Sequence, residues 1–153
     1  MWQNGVMPER FFSYEEAEEL LPRVEQLLRE IQTSQKSAQE AEDDLNTART
    51  KVMMSGGMIP DHAALARRKA EKDLSLAALE AGLQQFQDSG VLLKDLDAGL
   101  VDFPCLVDDR EVYLCWKVGE ERIGFWHNVE EGFAGRKPVD GKLLETIRRR
   151  RPH

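Results

Sequence analysis

A seven-residue repeat in the first third of the chain limits the possible folds more than any other feature. Val24, Ile31, Ala38, Leu45 and Val52 recur at every seventh position. The residues three positions further on are small or apolar: Leu27, Ser34, Ala41 and Ala48. This spacing is typical of a seam along which one helix packs against another. The repeat therefore predicts a long helix that pairs with a second one.

Local signals predict where these helices begin and end. Ser13 and Glu16 have the spacing of a capping box. Pro22 predicts an interruption, with a short helix over 14–21 and a long helix over 22 to about 54. Pro60 predicts the start of the second helix, and Gly90 predicts its end. One apolar stripe runs along this second helix: Ala63, Ala66, Ala70, Leu74, Ala77 and Ala81.

The chain after Gly90 changes to short alternating segments that are typical of strands. These segments are "VLLKD", "LVDFPCLV", "EVYLCWKV" and "RIGFWHNV". Two-residue turns at 108–109 and 119–120 give a register in which Val101 faces Trp116, and Trp116 faces Ile123. Side chains alternate between the two faces of a sheet. The register therefore predicts an apolar core face with His127 at its rim.

The same register predicts the positions of the two cysteines. Cys105 belongs to the core face, whereas Cys115 lies on the other face, opposite Asp102 and near Trp126. Because the two cysteines lie on opposite faces, we expect both to be free thiols.

These elements predict an α+β fold. A long antiparallel helical hairpin, resembling a coiled coil, packs at its base on a small antiparallel sheet of three to four strands. We expect a single domain over 1–153, with the hairpin arm at 13–89. The small sheet and a C-terminal corner follow at 91–138, and a short helix with a basic tail at 139–153.

Charge and hydropathy narrow the classes of function. The net charge of −7 argues against general nucleic-acid binding, which requires a basic face. The arginine run Arg148–Arg151 leaves a weak nucleic-acid contact open, although such a run is more often a solvated tail. No segment is long and apolar enough for a membrane span, and the start "MWQNGVMPERFF" does not resemble a signal peptide. These features predict a cytoplasmic location.

His127 is the first candidate for a functional site. An imidazole next to carboxylates can bind a metal or act as a general base, so His127 and Glu130 are the only metal-ligand candidates, with Glu131 adjacent. A strong metal motif would need three converging ligands. The alternative is a histidine at the sheet rim that bonds to the backbone or to a carboxylate.

Two further groups of residues could contribute to a site. Asp102 and Cys115 lie opposite each other, but a nucleophilic cysteine needs a base, and no histidine is predicted on that face. In "GFAGR", Phe133 is predicted as a buried anchor and Arg136 as a donor for a carboxylate or phosphate. We expect one shallow pocket at the sheet edge, for which no cofactor can be named. The candidate ligand-binding residues are Asp102, Trp116, Trp126, His127, Glu130 and Arg136.

Four segments, "FFSYEEAEELLP", "GVLLKDLDAGLVDFPCL", "VYLCWKVGEERIGFWH" and "GFAGRKP", carry a resemblance to a known family. From Phe11 to about Pro138 the chain resembles a bacterial family described as domain of unknown function 2203. The resemblance implies a small cytoplasmic bacterial protein and implies no activity. The positions that match the family's motif include Asp102–Pro104, Cys115–Trp116, Gly119–Glu120, Trp126–His127 and Gly132–Arg136.

These observations predict an interaction or self-association module that uses the helical hairpin and has no catalytic activity. The chain lacks the GxSxG, CxxC and HExxH motifs of common enzymes. We expect a protein partner or, most simply, a homodimer, with Ala38, Ala41 and Leu45 at the contact. The alternative is a small-ligand or metal-binding protein with its site around His127, and this alternative includes an enzyme.

Overall fold

A computed structural model describes residues 10–56 and 61–149, with side chains up to residue 147. The secondary-structure elements are α1 (Tyr14–Met54), α2 (His62–Ser89), β1 (Leu92–Asp95), β2 (Leu100–Val107), β3 (Arg110–Lys117), β4 (Phe125–Asn128), β5 (Lys137–Pro138) and α3 (Gly141–Arg149). The strands form one antiparallel sheet in the order β1-β2-β3-β4-β5. The α+β fold with a helical hairpin is therefore confirmed, although the sheet has five strands.

The described residues divide into two compact units. One contains the chain up to Leu28 and from Gln85 onward, and the other is Arg29–Gln84. Pro60 and the side chains of the arginine run Arg148–Arg151 lie outside the described residues. None of the described helices combines the length and the apolar character needed to cross a membrane.

The start of α1 follows the predicted capping box. The Ser13 hydroxyl accepts the Glu16 backbone N–H at 3.1 Å, and the Glu16 carboxylate accepts the Ser13 N–H at 2.9 Å. The predicted interruption at Pro22 is wrong, because α1 is one helix from Tyr14 to Met54. Pro22 is exposed, while Leu21 before it and Val24 two residues after it are buried. Burial of these neighbours offsets the hydrogen bond that proline cannot donate.

Within the second unit, α1 and α2 pack along the predicted seven-residue seam. Ile31, Ala38 and Leu45 are buried. The Cβ of a side chain at Gly82 would lie only 2.7 Å from Ile31 Cγ1, so the two backbones approach closely there. Burial on α2 follows three- and four-residue steps: Leu65, Arg68, Lys72, Ser75, Leu79 and Gly82 are each buried or half-buried.

The contact with α1 does not use the apolar stripe of α2. The apolar stripe from Ala63 to Ala81 is exposed along its whole length, because α2 turns polar residues with long aliphatic stems toward α1. One of these residues, Lys72, forms an ion pair with Glu42 across the seam. The seam positions Ala38 and Leu45 are covered inside the hairpin and do not form an outer contact surface.

The hairpin of β2 and β3 has the predicted register. Its turn consists of Asp108 and Asp109, whose positive φ angles of 49° and 63° suit a two-residue hairpin turn. Val101 pairs with Trp116, and Asp102 pairs with Cys115. Cys105 and Cys115 are buried free thiols, as predicted.

The predicted register of β3 with β4 is wrong by one residue. Tyr113 pairs with His127, and Leu114 pairs with Trp126. Residues 118–124 form a longer connection in place of a two-residue turn. A one-residue shift moves each side chain to the opposite face of the sheet. His127 therefore lies on the face of Asp102 and Cys115, and Trp126 lies on the other face.

The core face of the sheet packs against the beginning of α1. The rings of Phe12 and Phe103 meet edge to face with their centres 5.4 Å apart, and Phe103 and Trp116 are fully buried. Phe133 was predicted as a buried anchor, but it lies in a short 3-10 turn and its side chain is 44% exposed. The two glycines around it turn the chain, and Lys117 covers part of the ring.

This difference in burial gives a direct test of the fold. We expect Phe103→Ala to lower the free energy of unfolding by about 3–5 kcal/mol, the usual cost of removing a buried aromatic ring. Phe133→Ala, at a half-exposed site, should lower it by about 1 kcal/mol or less, because mainly cation–π contacts are lost. Urea denaturation followed by circular dichroism measures both, and equal losses would contradict the described burial.

Candidate functional site

Three side chains from neighbouring strands meet on the sheet face that points away from Phe103. They are Asp102 of β2, Cys115 of β3 and His127 of β4, and all three are buried. One potential ligand atom of each lies within 4.8 Å of those of the other two. Among the residues that the structure describes, this is the only group of three or more such side chains. The arrangement depends on the observed register of β3 and β4.

The imidazole of His127 faces hydrogen-bond acceptors at both nitrogens. Nδ1 lies 2.8 Å from the backbone carbonyl oxygen of Asn128. Nε2 lies 3.1 Å and 3.2 Å from the two carboxylate oxygens of Asp102. A carbonyl oxygen can only accept, so Nδ1 carries a proton and donates it. Nε2 then requires either a second proton or a cation between itself and the carboxylate.

The surroundings of His127 favour a positive charge in the metal-free chain. Burial of the ring opposes protonation, but hydrogen bonds to Asp102 and Cys115 outweigh it and raise the pKa of His127 well above its usual value. Tyr113 packs edge-on against the imidazole with ring centres 5.5 Å apart. In this state the cluster is a buried imidazolium–carboxylate pair with a thiol beside it.

A small cavity of about 120 Å³ adjoins the cluster. Its lining includes Asp102, His127, Tyr113, Lys94 and Phe133. The Lys94 ammonium nitrogen lies 4.9 Å from the centre of the Tyr113 ring. Burial lowers the pKa of Lys94, whereas the negative charges of Asp102 and Glu111 counteract this change. The cavity is large enough for a few water molecules or one small ligand.

Arg136 does not line this cavity. Its guanidinium donates to both carboxylate oxygens of Glu120, at 2.7 Å and 2.9 Å. Its plane also lies 4.0 Å from the centre of the Phe125 ring and 4.6 Å from that of Phe133. Arg136 therefore joins the β3–β4 connection to the turn around Phe133.

The two candidate tryptophans also lie apart from the cluster. Trp116 is buried on the core face, where its indole N–H donates to the backbone carbonyl oxygen of Glu120 at 2.9 Å. Trp126, on the same face as Trp116, is half-buried with the Lys137 ammonium 4.9 Å from its ring centre. Neither of them lines the cavity beside His127.

The structure does not bring Glu130 to His127, so the pair named as metal-ligand candidates is replaced by a different set. Glu130 is exposed and does not belong to the cluster. Its neighbour Glu131 lines the cavity. A hydrogen bond from Lys137 and two from Asn128 hold the pKa of Glu131 at about 2. Residues that could hold a metal are therefore Asp102, Cys115 and His127.

Comparison with known families adds one finding. The family described as "Uncharacterized conserved protein (DUF2203)" matches residues 10–139. The chain belongs to this family. The predicted resemblance is thereby confirmed. No curated protein and no solved structure matches the chain.

All three residues of the cluster lie inside the part of the chain that matches DUF2203. The register predicted from the sequence places Asp102 opposite Cys115. It does not place His127 in the cluster as the third residue. The signal lay in "GEERIG", where charged residues stand between two glycines. Such a segment indicates a longer connection, and this connection changes the register of β4.

The pKa of His127 predicts how stability changes with pH. A histidine whose pKa is raised in the folded state stabilises the protein below its unfolded pKa, about 6.5. This contribution disappears as the pH rises through the raised pKa. In metal-free protein, we therefore expect the free energy of unfolding to fall from about pH 6.5 into the alkaline range. The loss is about 1.4 kcal/mol for each unit by which the pKa is raised.

His127→Gln provides the control, because it removes the titrating ring and keeps a polar side chain. Urea denaturation of both proteins in chelator, from pH 6 to pH 10, measures the difference. Parallel pH profiles for the two proteins would contradict the raised pKa.

Proposed function

We propose that this protein binds one divalent transition-metal ion, most simply Zn²⁺, through Asp102, Cys115 and His127. The observation that carries the proposal is the convergence of three buried ligand side chains, of three chemical types, within 4.8 Å of one another. Separate strands supply the three residues, so the site is preformed by the sheet and does not depend on a flexible loop.

The distances agree with such a site. Zinc bonds of 2.0–2.3 Å to oxygen, nitrogen and sulfur place tetrahedral ligand atoms roughly 3.3–3.8 Å apart. His127 Nε2 and the Asp102 oxygens, at 3.1 Å and 3.2 Å, are already close to this separation. The hydrogen bond from Nδ1 to the Asn128 carbonyl leaves Nε2 as the ligand atom, which is the usual support of a metal-bound histidine.

Charge also favours a metal. An aspartate and a thiolate buried together are costly unless a positive charge lies between them. A divalent ion neutralises both and leaves the imidazole neutral. Thiolate and imidazole ligands favour Zn²⁺ over Mg²⁺ and Ca²⁺, which prefer oxygen ligands.

Three protein ligands leave one position of a tetrahedral ion for water or another small molecule. Catalytic zinc sites have this number of ligands, whereas structural zinc sites are closed by four. The cavity of about 120 Å³ beside Asp102 and His127 provides space for that ligand. Lys94 and Tyr113 line the cavity and supply a cation and an aromatic wall. We therefore propose a metal centre that holds an exchangeable small ligand.

We also propose a bacterial, cytoplasmic setting and a second role in protein interaction. Cys105 and Cys115 are free, which suits a reducing compartment and keeps Cys115 available as a ligand. The interaction role is supported by large apolar side chains that are exposed on α2, among them Leu74 and Leu76.

Cobalt substitution tests the metal site. Chelator-treated protein should bind one Co²⁺ per chain and develop the near-ultraviolet absorption of a cobalt–thiolate bond. We expect Cys115→Ala to abolish this absorption, and Asp102→Ala and His127→Ala to weaken metal affinity by at least about 100-fold, more than is usual for an outer-shell partner.

Cys105→Ala is the matched control, because Cys105 is also buried but lies on the other face of the sheet. Burial raises the pKa of the Cys105 thiol to about 12, so it remains protonated. The control should bind Co²⁺ as wild type does. The metal proposal is wrong if folded wild-type protein shows no stoichiometric binding, or if both cysteine variants lose the absorption equally.

A further inference from the structure

The outward face of α2 carries side chains that nothing in the second unit covers. Leu74 lies near its centre and is 72% exposed. The residues on either side along this face are all exposed alanines: Ala63, Ala66, Ala70, Ala77 and Ala81. The seam with α1 lies on the opposite side of α2, so this surface is available without any change in the hairpin.

Charged residues flank this face in an ordered way. Arg67 and Glu71 lie one turn apart on one flank, and Lys69 and Asp73 lie one turn apart on the other. On both flanks the basic residue precedes Ala70 and the acidic residue follows it. All four are exposed. Among residues 10–56 and 61–149, no side-chain hydrogen bond and no ion pair involves any of the four.

We infer that a second copy of this chain docks on this face, with the two α2 helices antiparallel and related by a twofold axis at Ala70. Residues whose numbers add to 140 then lie opposite each other. Leu74 faces the partner's Ala66, where the small side chain leaves room for it. Ala70 faces its own symmetry mate, and Ala63 faces the partner's Ala77. Small residues at these positions allow the close helix approach that such packing requires.

The same axis brings opposite charges together on both flanks. In an antiparallel pair, each flank faces the same flank of the other helix. Arg67 then lies beside the partner's Glu71, and Lys69 lies beside the partner's Asp73. Each pair is offset by two residues, about 3 Å along the axis, which these long side chains can span. The twofold axis repeats both pairs, giving four intermolecular ion pairs.

A parallel arrangement places like charges together. In a parallel pair, each flank faces the opposite flank of the other helix. Arg67 would then lie beside the partner's Lys69, and Glu71 beside the partner's Asp73. Because like charges across an interface oppose association, these nearest pairs favour the antiparallel dimer.

Sedimentation equilibrium of the full-length protein tests the contact. We expect a wild-type dimer, and Leu74→Glu should raise the dimer dissociation constant by about tenfold or more by placing a charge in the apolar contact. Met53→Glu is the matched control, since Met53 is 83% exposed on α1 and lies outside this face. Circular dichroism verifies that each variant folds. A wild-type protein that is monomeric at high concentration, or equal weakening by both substitutions, overturns the inference.

Charge exchange tests the pairing. Lys69→Glu should weaken the dimer, because it places two acidic side chains together. Adding Asp73→Lys to it should restore the wild-type dissociation constant, since the exchanged pair is again complementary. The exchange keeps net charge, so restoration does not follow from a general charge effect. If the double variant has a dimer dissociation constant no lower than that of Lys69→Glu alone, the result would contradict the pairing.

Cysteine cross-linking tests the direction of the helices. Oxidation of an equal mixture of the variants Ala63→Cys and Ala77→Cys should give a disulfide-linked heterodimer. Ala63→Cys alone should not cross-link, because its two copies would lie about 21 Å apart along the axis, beyond the reach of a disulfide. If Ala63→Cys instead cross-links to itself, and the mixture gives no heterodimer of the two variants, the helices are parallel. That result would overturn the antiparallel register.

Discussion

The attachment of Ile123 to the beginning of α1 determines the arrangement of the candidate site. Ile123 is fully buried. Its carbonyl oxygen lies 2.8 Å from the Tyr14 hydroxyl, and its N–H donates to Glu18 at 3.4 Å. These bonds hold Ile123 in the connection before β4, so β4 begins only at Phe125. The resulting register places His127 beside Asp102 and Cys115. The beginning of α1 therefore determines the register of β4, and with it the position of His127.

The second face of the sheet concentrates ionisable groups that are costly to bury. The described structure gives such groups partners of opposite charge: Asp102 with His127 on this face, Arg136 with Glu120, and Lys137, which lies over Trp126 of the other face, with Glu131. Only the first pair is fully buried, and only it has a thiol beside it. A buried ion pair contributes little net stability compared with apolar packing.

The hairpin distributes its apolar residues differently from a simple two-helix pair. The seam on α1 consists of aliphatic and small residues, while α2 contributes Arg68, Lys72 and Ser75 to the same contact. The aliphatic stems of arginine and lysine cover apolar surface while their charged ends reach solvent. This arrangement leaves the alanines and Leu74 of α2 outside. The outward face of α2 is therefore apolar and is flanked by charges of both signs, and none of its residues belongs to the cluster around His127.

The sequence by itself determined those features that depend on local chemistry. The capping box at Ser13, the end of α2 at Gly90, the seam on α1 and the two-aspartate turn between β2 and β3 were all predicted. Each depends on side chains within a few residues, or on a repeat in one helix. Asp102 and Cys115 were placed opposite each other for the same reason, because their register follows from a tight turn.

Only the tertiary structure decided the features that depend on competition between distant segments. The face of α2 that meets α1 depends on how closely the backbones approach at Gly82. The continuity of α1 through Pro22 depends on burial of the neighbouring residues. The position of His127 depends on hydrogen bonds between Ile123 and α1, more than one hundred residues apart in the chain. In a strand, a shift of one residue exchanges the two faces, so local sequence patterns could not place His127 in the site.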